Sequence, residues 1–88
     1  MASNVSLYEQ VDNRHESLIM GHMAMVKRVA IHLKARIPPF MELDELVQVG
    51  MVGLIEAARS FDPTKGHEFE HYALSRVRGA ILDEVRRQ

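Results

Sequence analysis

Between Glu42 and Asp62 the chain reads ELDELVQVGMVGLIEAARSFD. Advancing each residue by the roughly 100° of an α-helix sorts its apolar side chains onto two faces. Leu43, Leu46, Val47, Leu54, Ala57, Ala58 and Phe61 form one stripe, suited to a core. Val49, Val52 and Ile55 fall on the other side among Glu45, Gln48 and Arg59, with Met51 at the edge. An apolar patch studded with polar groups has the composition of a partner-binding surface; a helix buried on both sides is the alternative. Gly50 and Gly53 each cost a helix about 1 kcal/mol relative to alanine, which predicts the close approach of another backbone there.

Two further helices flank this one. Val26, Val29, Ala30, Leu33 and Ile37 recur at helical spacing from His22 onward, with Ile19 and Met23 extending the same face. Pro38-Pro39 ends that helix, because proline disfavours α geometry in the residue before it and has no N–H to donate. His15 to Met20 adds a turn or more, with Gly21 as a candidate break. Asp44 is the expected N-cap of the central helix, and Asp62-Pro63 followed by Thr64-Lys65-Gly66 stops it. The last helix is expected from about Glu68 to Arg87 on a stripe of Leu74, Val77, Ile81 and Val85. Met1 to Asn13 is polar and reads as a loose segment in which Leu7, Tyr8 and Val11 dock at most a short turn. No alternation long enough for a strand occurs, and no repeat. The expected fold is all-α, a small bundle of three principal helices with a frayed N-terminus. Residues 1–14 are expected to be a flexible segment and 15–88 one domain.

The outer face of the last helix carries its own chemistry. Opposite the stripe fall Phe69, Tyr72, Arg76, Gly79, Asp83 and Arg87, with Arg86 alongside. Aromatic rings stack on unpaired bases, and guanidinium groups pair with phosphates or with the acceptor edge of guanine, so the pattern suits nucleic acid. Asp83 would repel a phosphate; it fits if it accepts from a cytosine amino group or restrains a neighbouring arginine. The alternative is a solvated face with Phe69 and Tyr72 tucked into the core.

Composition narrows the classes. At 88 residues one small domain is the ceiling. With no cysteine there is no disulfide framework or thiolate metal site, which suits a reducing cytosol. No apolar run reaches the ~20 residues of a membrane span, and no signal-peptide pattern opens the chain. The net charge of −1 argues against a general nucleic-acid coat protein, but charge is sorted by segment. Lys27, Arg28, Lys34 and Arg36 form an acid-free block, read most simply as a solvated helix surface, and Arg76, Arg78, Arg86 and Arg87 gather at the end. The centre is acidic, with Glu42, Asp44, Glu45 and Glu56 against Arg59. His67 and His71 share helical spacing but have no third ligand near them, and no nucleophile, phosphate loop or paired-carboxylate arrangement stands out. Neither an enzyme nor a metal or cofactor protein is expected.

The run DELVQVGMVGLIEAARSFDPTKGHEFEHYALSRVRGAILDEVRR resembles region 2 of bacterial RNA polymerase sigma factors of the sigma-70 superfamily, and SRVRGAILDEVR is most similar to the flagellar or motility class. The resemblance covers Met25 to Arg87 and includes HLKARIPPFMELDEL. It implies a domain that docks on the coiled coil of the beta-prime subunit of core RNA polymerase, recognises the −10 promoter element on its non-template single strand and helps open it. Polymerase contacts carry over to Glu45, Gln48, Val49, Met51, Val52 and Ile55, and DNA contacts to Phe69, Tyr72, Ser75, Arg76, Gly79 and Asp83, joined by Arg86 and Arg87. Housekeeping members have acidic and amide groups where Val49 and Met51 stand, so docking here should lean on apolar contact. They have two tryptophans in place of Ser75 and Arg76, so base capture by those rings does not transfer. Many members have proline in place of Ala24, so the first helix here should run on unbroken.

The resemblance further implies a cytoplasmic, nucleoid-associated bacterial protein, monomeric when free, with an anti-sigma factor as another partner and no membrane contact. The family's Trp-Pro-Arg segment, linker and −35-reading domain lie beyond the resemblance. The expectation is a fragment or a natural truncation with low DNA affinity of its own. A second reading is a protein-interaction module that occupies core polymerase without productive DNA contact. It shares the central helix and differs at the last one.

Overall fold

The computed structural model describes the backbone over residues 2–88 and side chains over residues 15–88. Three helices, α1 (Ala2–Lys34), α2 (Leu43–Ser60) and α3 (Phe69–Arg87), follow in that order, with a 3₁₀ turn at Pro63–Lys65 before α3. No strand occurs among the described residues, as the all-α expectation required. α1 starts at Ala2, so the backbone of residues 2–14 is helical where at most a short turn was expected, and their side chains lie outside the described residues. α1 passes through Gly21 without a break.

α2 lies between its neighbours and packs on both. Leu46, Leu54 and Ala57 are fully buried from α2, Val26 and Ala30 from α1, and Ala73, Val77 and Ile81 from α3. The two central glycines make this closeness possible. A Cβ on Gly53 would sit 3.0 Å from the Arg76 carbonyl oxygen and 3.1 Å from Val77 Cα, so the α3 backbone occupies the space. At Gly50 it would meet side chains from both neighbours, Val26 Cγ1 at 2.8 Å and Val77 Cγ1 and Ile81 Cδ1 at 3.3 Å. The expected backbone approach is therefore met at Gly53; Gly50 marks a three-helix junction. The core holds no buried polar or charged side chain among the described residues.

Several expectations are corrected. Leu74 is 41% exposed, because the α2–α3 seam at Gly53 faces Arg76, Val77 and Ala80 and turns Leu74 to the edge; Ala73 and Phe69 take the buried places. Met23 is likewise exposed, since the α1 seam centres on Val26, Ala30 and Leu33 and draws Met25 inward instead. The N-cap of α2 is Glu42, not Asp44, with Glu45 Oε1 accepting from the Glu42 amide across 3.5 Å. Met41, in the connection after Pro38-Pro39-Phe40, is 1% exposed and plugs the core beside the start of α2.

Candidate functional site

Two faces gather the candidate residues. On α2, Glu45, Gln48 and Val52 are exposed, and Val49, Met51 and Ile55 are half-buried. Val52 is 56% exposed although it lies within one turn of the buried Gly53 and Leu54. The two-faced pattern thus resolves into one buried face and one apolar face left open among polar groups. All six docking candidates lie on or beside that open face.

The outer face of α3 begins at an aromatic row. His22 Nδ1 donates to the Leu18 carbonyl at 2.8 Å, which holds its ring against Phe69, with centroids 4.8 Å apart. Phe69 meets Phe61 edge-on at 5.2 Å, and Phe61 meets Tyr72 at 5.7 Å. Phe69 is 8% exposed, so its ring supports Tyr72 from within and has no face open to a base. That corrects its placement as a stacking surface. Only half of the core alternative holds, since Tyr72 itself remains half-exposed.

Tyr72 is fixed at both ends. The Ser60 hydroxyl donates to the Glu56 carbonyl at 2.9 Å, so in the 2.7 Å contact with Ser60 Oγ the Tyr72 hydroxyl is the donor. Its ring lies 5.9 Å from the Arg76 guanidinium carbon, the outer limit of a cation–π contact. Beside it a shallow hollow is lined by Ser60, Phe61, Asp62, Lys65, His67 and Tyr72. Asp62 anchors the rim, accepting at Oδ1 from the Thr64 hydroxyl at 2.6 Å and the Thr64 amide at 2.9 Å. These two bonds, the hydroxyl's first, hold its carboxyl below the ordinary aspartate range. Gly66 closes the turn at φ 80°, a left-handed conformation glycine adopts without strain. Sequence reasoning missed Ser60, Lys65 and His67 as neighbours of Tyr72. They come from the end of α2 and the turn, and no periodicity links them to α3.

Further along α3, Ser75, Arg76, Asp83, Arg86 and Arg87 are exposed on the same side. Gly79 lies between, and a Cβ there would meet no atom within 4 Å, so the helix surface is open to a closely approaching group. Asp83 pairs with Arg86, at 3.6 Å, and not with Arg76. With both side chains largely exposed, that pair is worth under about 1 kcal/mol and leaves both groups free to exchange partners. No group of three metal-ligating side chains converges among the described residues.

Residues 18–88 match the Sigma-70 region 2 family. The chain is similar to the RNA polymerase sigma factor FliA of Pseudomonas aeruginosa, 48% identical over 88 residues, covering 98% of this chain and 36% of that protein. FliA of Escherichia coli K12 is 42% identical over 83 residues, 92% of this chain and 34% of that protein. The RNA polymerase sigma factor for flagellar operon of Vibrio parahaemolyticus is 38% identical over 71 residues, 81% of this chain and 29% of that protein. The chain spans about a third of the length of these relatives. No solved structure matches it significantly.

Proposed function

Because this chain belongs to the sigma-70 region 2 family, we propose that it acts as the region of a flagellar-type sigma factor that docks on the beta-prime coiled coil through α2 and engages the −10 promoter element through α3. The observation that carries this reading is Val52, 56% exposed on a helix whose opposite face is packed into the core. An apolar centre of Val49, Met51, Val52 and Ile55 edged by Glu45 and Gln48 is what an interface core with a polar rim requires. The non-template strand of the opened element follows α3. Tyr72 offers a ring to an unpaired base, with Lys65 near enough to the hollow to meet its phosphate. Arg76, Gly79 and Asp83 face the base edges, with Ser75 beside them and Arg86 and Arg87 on the backbone. These partners place the working protein in the bacterial cytoplasm, at the nucleoid.

The test is binding to a beta-prime coiled-coil fragment. Val52→Glu should abolish capture while leaving the melting temperature unchanged, because it would bury an unpaired charge in the complex. Leu74→Glu, also at an exposed apolar position but on α3, should bind as the wild type does. Equal capture of all three proteins would reject the α2 face.

A further inference from the structure

α1 and α2 each turn an uncovered apolar face to solvent, and the two faces differ in sign of charge. On α1, Met20 and Ile31 are 64% and 52% exposed, and they lie with Ala24 and Lys27 on one side of the helix, Arg28 alongside. No aspartate or glutamate occurs from Ser17 to Met41. Among the described residues the carboxylates leave this block unpaired, the ion pair formed being Arg86–Asp83. On α2, Val52 stands among Glu45, Gln48, Glu56 and Arg59, with Glu42 and Asp44 at the helix start, so carboxylates outnumber the one arginine there. One chain therefore carries an apolar centre edged by bases and an apolar centre edged by acids. Its net charge of −1 gives little long-range repulsion between copies.

We infer that the chain associates head to tail with a second copy of itself, the basic α1 face of one seated on the acidic α2 face of the next. Phosphate alone would leave Met20 and Ile31 uncovered, whereas an acidic helix bearing Val52 covers them. The contact is heterologous, because the two surfaces differ. Each added copy leaves one face of each kind free, and association continues past the dimer. Two helix faces make a small interface, so the association is weak and the dilute chain is monomeric. Self-association covers the α2 face and so excludes polymerase docking. That consequence rests on the proposed function; the association itself does not.

Sedimentation velocity on the whole chain tests it, with two surface variants. Lys27→Glu/Arg28→Glu reverses the α1 face, and Gln48→Lys/Glu56→Lys reverses the α2 face without touching the Glu45 contact that starts α2. All four positions are exposed, and far-UV circular dichroism confirms that each variant is folded. The wild type should sediment faster as its concentration rises towards the millimolar range, and less so when salt is raised from about 50 to about 500 mM. Each variant alone should associate at least about tenfold more weakly, and an equimolar mixture of the two should recover association, because their faces are again opposite in sign. A wild type monomeric throughout, variants that associate like the wild type, or a mixture no better than its parts would overturn the inference. The last outcome assigns the faces to other partners.

Discussion

At the scale of single residues, a methyl group separates the helical glycines from alanine, and their surroundings give opposite outcomes. Gly53→Ala should lower stability by about 1–3 kcal/mol, because its Cβ meets the fixed α3 backbone at 3.0–3.1 Å. Gly21→Ala, with nothing within 4 Å, should raise stability by up to about 1 kcal/mol through helix propensity alone. Thermal melting of the two variants reads both signs. The sequence made the need for close approach at Gly53 legible through the cost of a mid-helix glycine, but could not say which backbone comes close.

Asp62 supplies a second residue-scale outcome. Its folded pKa is depressed, so the contact with Thr64 is at full strength above the unfolded value of about 3.9 and is lost as pH falls through the lower folded value. NMR titration should place Asp62 below ~3.9, and Thr64→Val should move its midpoint upward, since the hydroxyl is the leading cause.

At the scale of elements, α2 shows how a two-faced pattern is resolved by its neighbours. Leu54→Ala should cost about 2–5 kcal/mol by opening a cavity at a fully buried site. Val52→Ala, two residues away and exposed, should change stability by no more than about 0.5 kcal/mol. Equal losses on denaturant unfolding would contradict the facing of the helix. That facing was legible because large side chains repeat along both stripes. α3 was harder to read: its seam uses Ala73 and Ala80, whose small side chains carry little hydrophobic signal, so Leu74 drew the predicted core stripe toward itself. Phe69, at the first helical position, could be read either as ring for a base or as core, and the edge contacts with His22 and Phe61 place it in the core. Met41 was beyond reach because a loop has no period to put it in phase.

At the scale of the whole molecule, three helices share the work. α1 and the buried face of α2 fix the core, the open face of α2 is the one proposed to dock, and the aromatic row from His22 to Tyr72 seats the outer face of α3. The proposed base readout belongs to this scale because it is tested within a full-length sigma factor. Grafted into a full-length flagellar sigma factor, Arg76→Ala and Asp83→Ala should lower transcription from G/C-containing −10 elements more than from substituted ones, each by about 1–3 kcal/mol of discrimination. Arg87→Ala should weaken all templates alike, as a phosphate contact does. Two or three such contacts give a salt slope of only about −2 for single strands, so the isolated chain should hold DNA weakly.

In the proposed function one small domain docks through α2 and, once docked, reads single-stranded DNA through α3. Fluorescence anisotropy of a labelled non-template −10 oligonucleotide, with the chain and core polymerase separately and together, tests it most directly. Binding by either alone should be weak and binding by the two together tight, lost with Val52→Glu and reduced with Arg76→Ala. An oligonucleotide bound no more tightly by the pair than by core polymerase alone would contradict it, leaving a module that occupies polymerase without engaging the promoter.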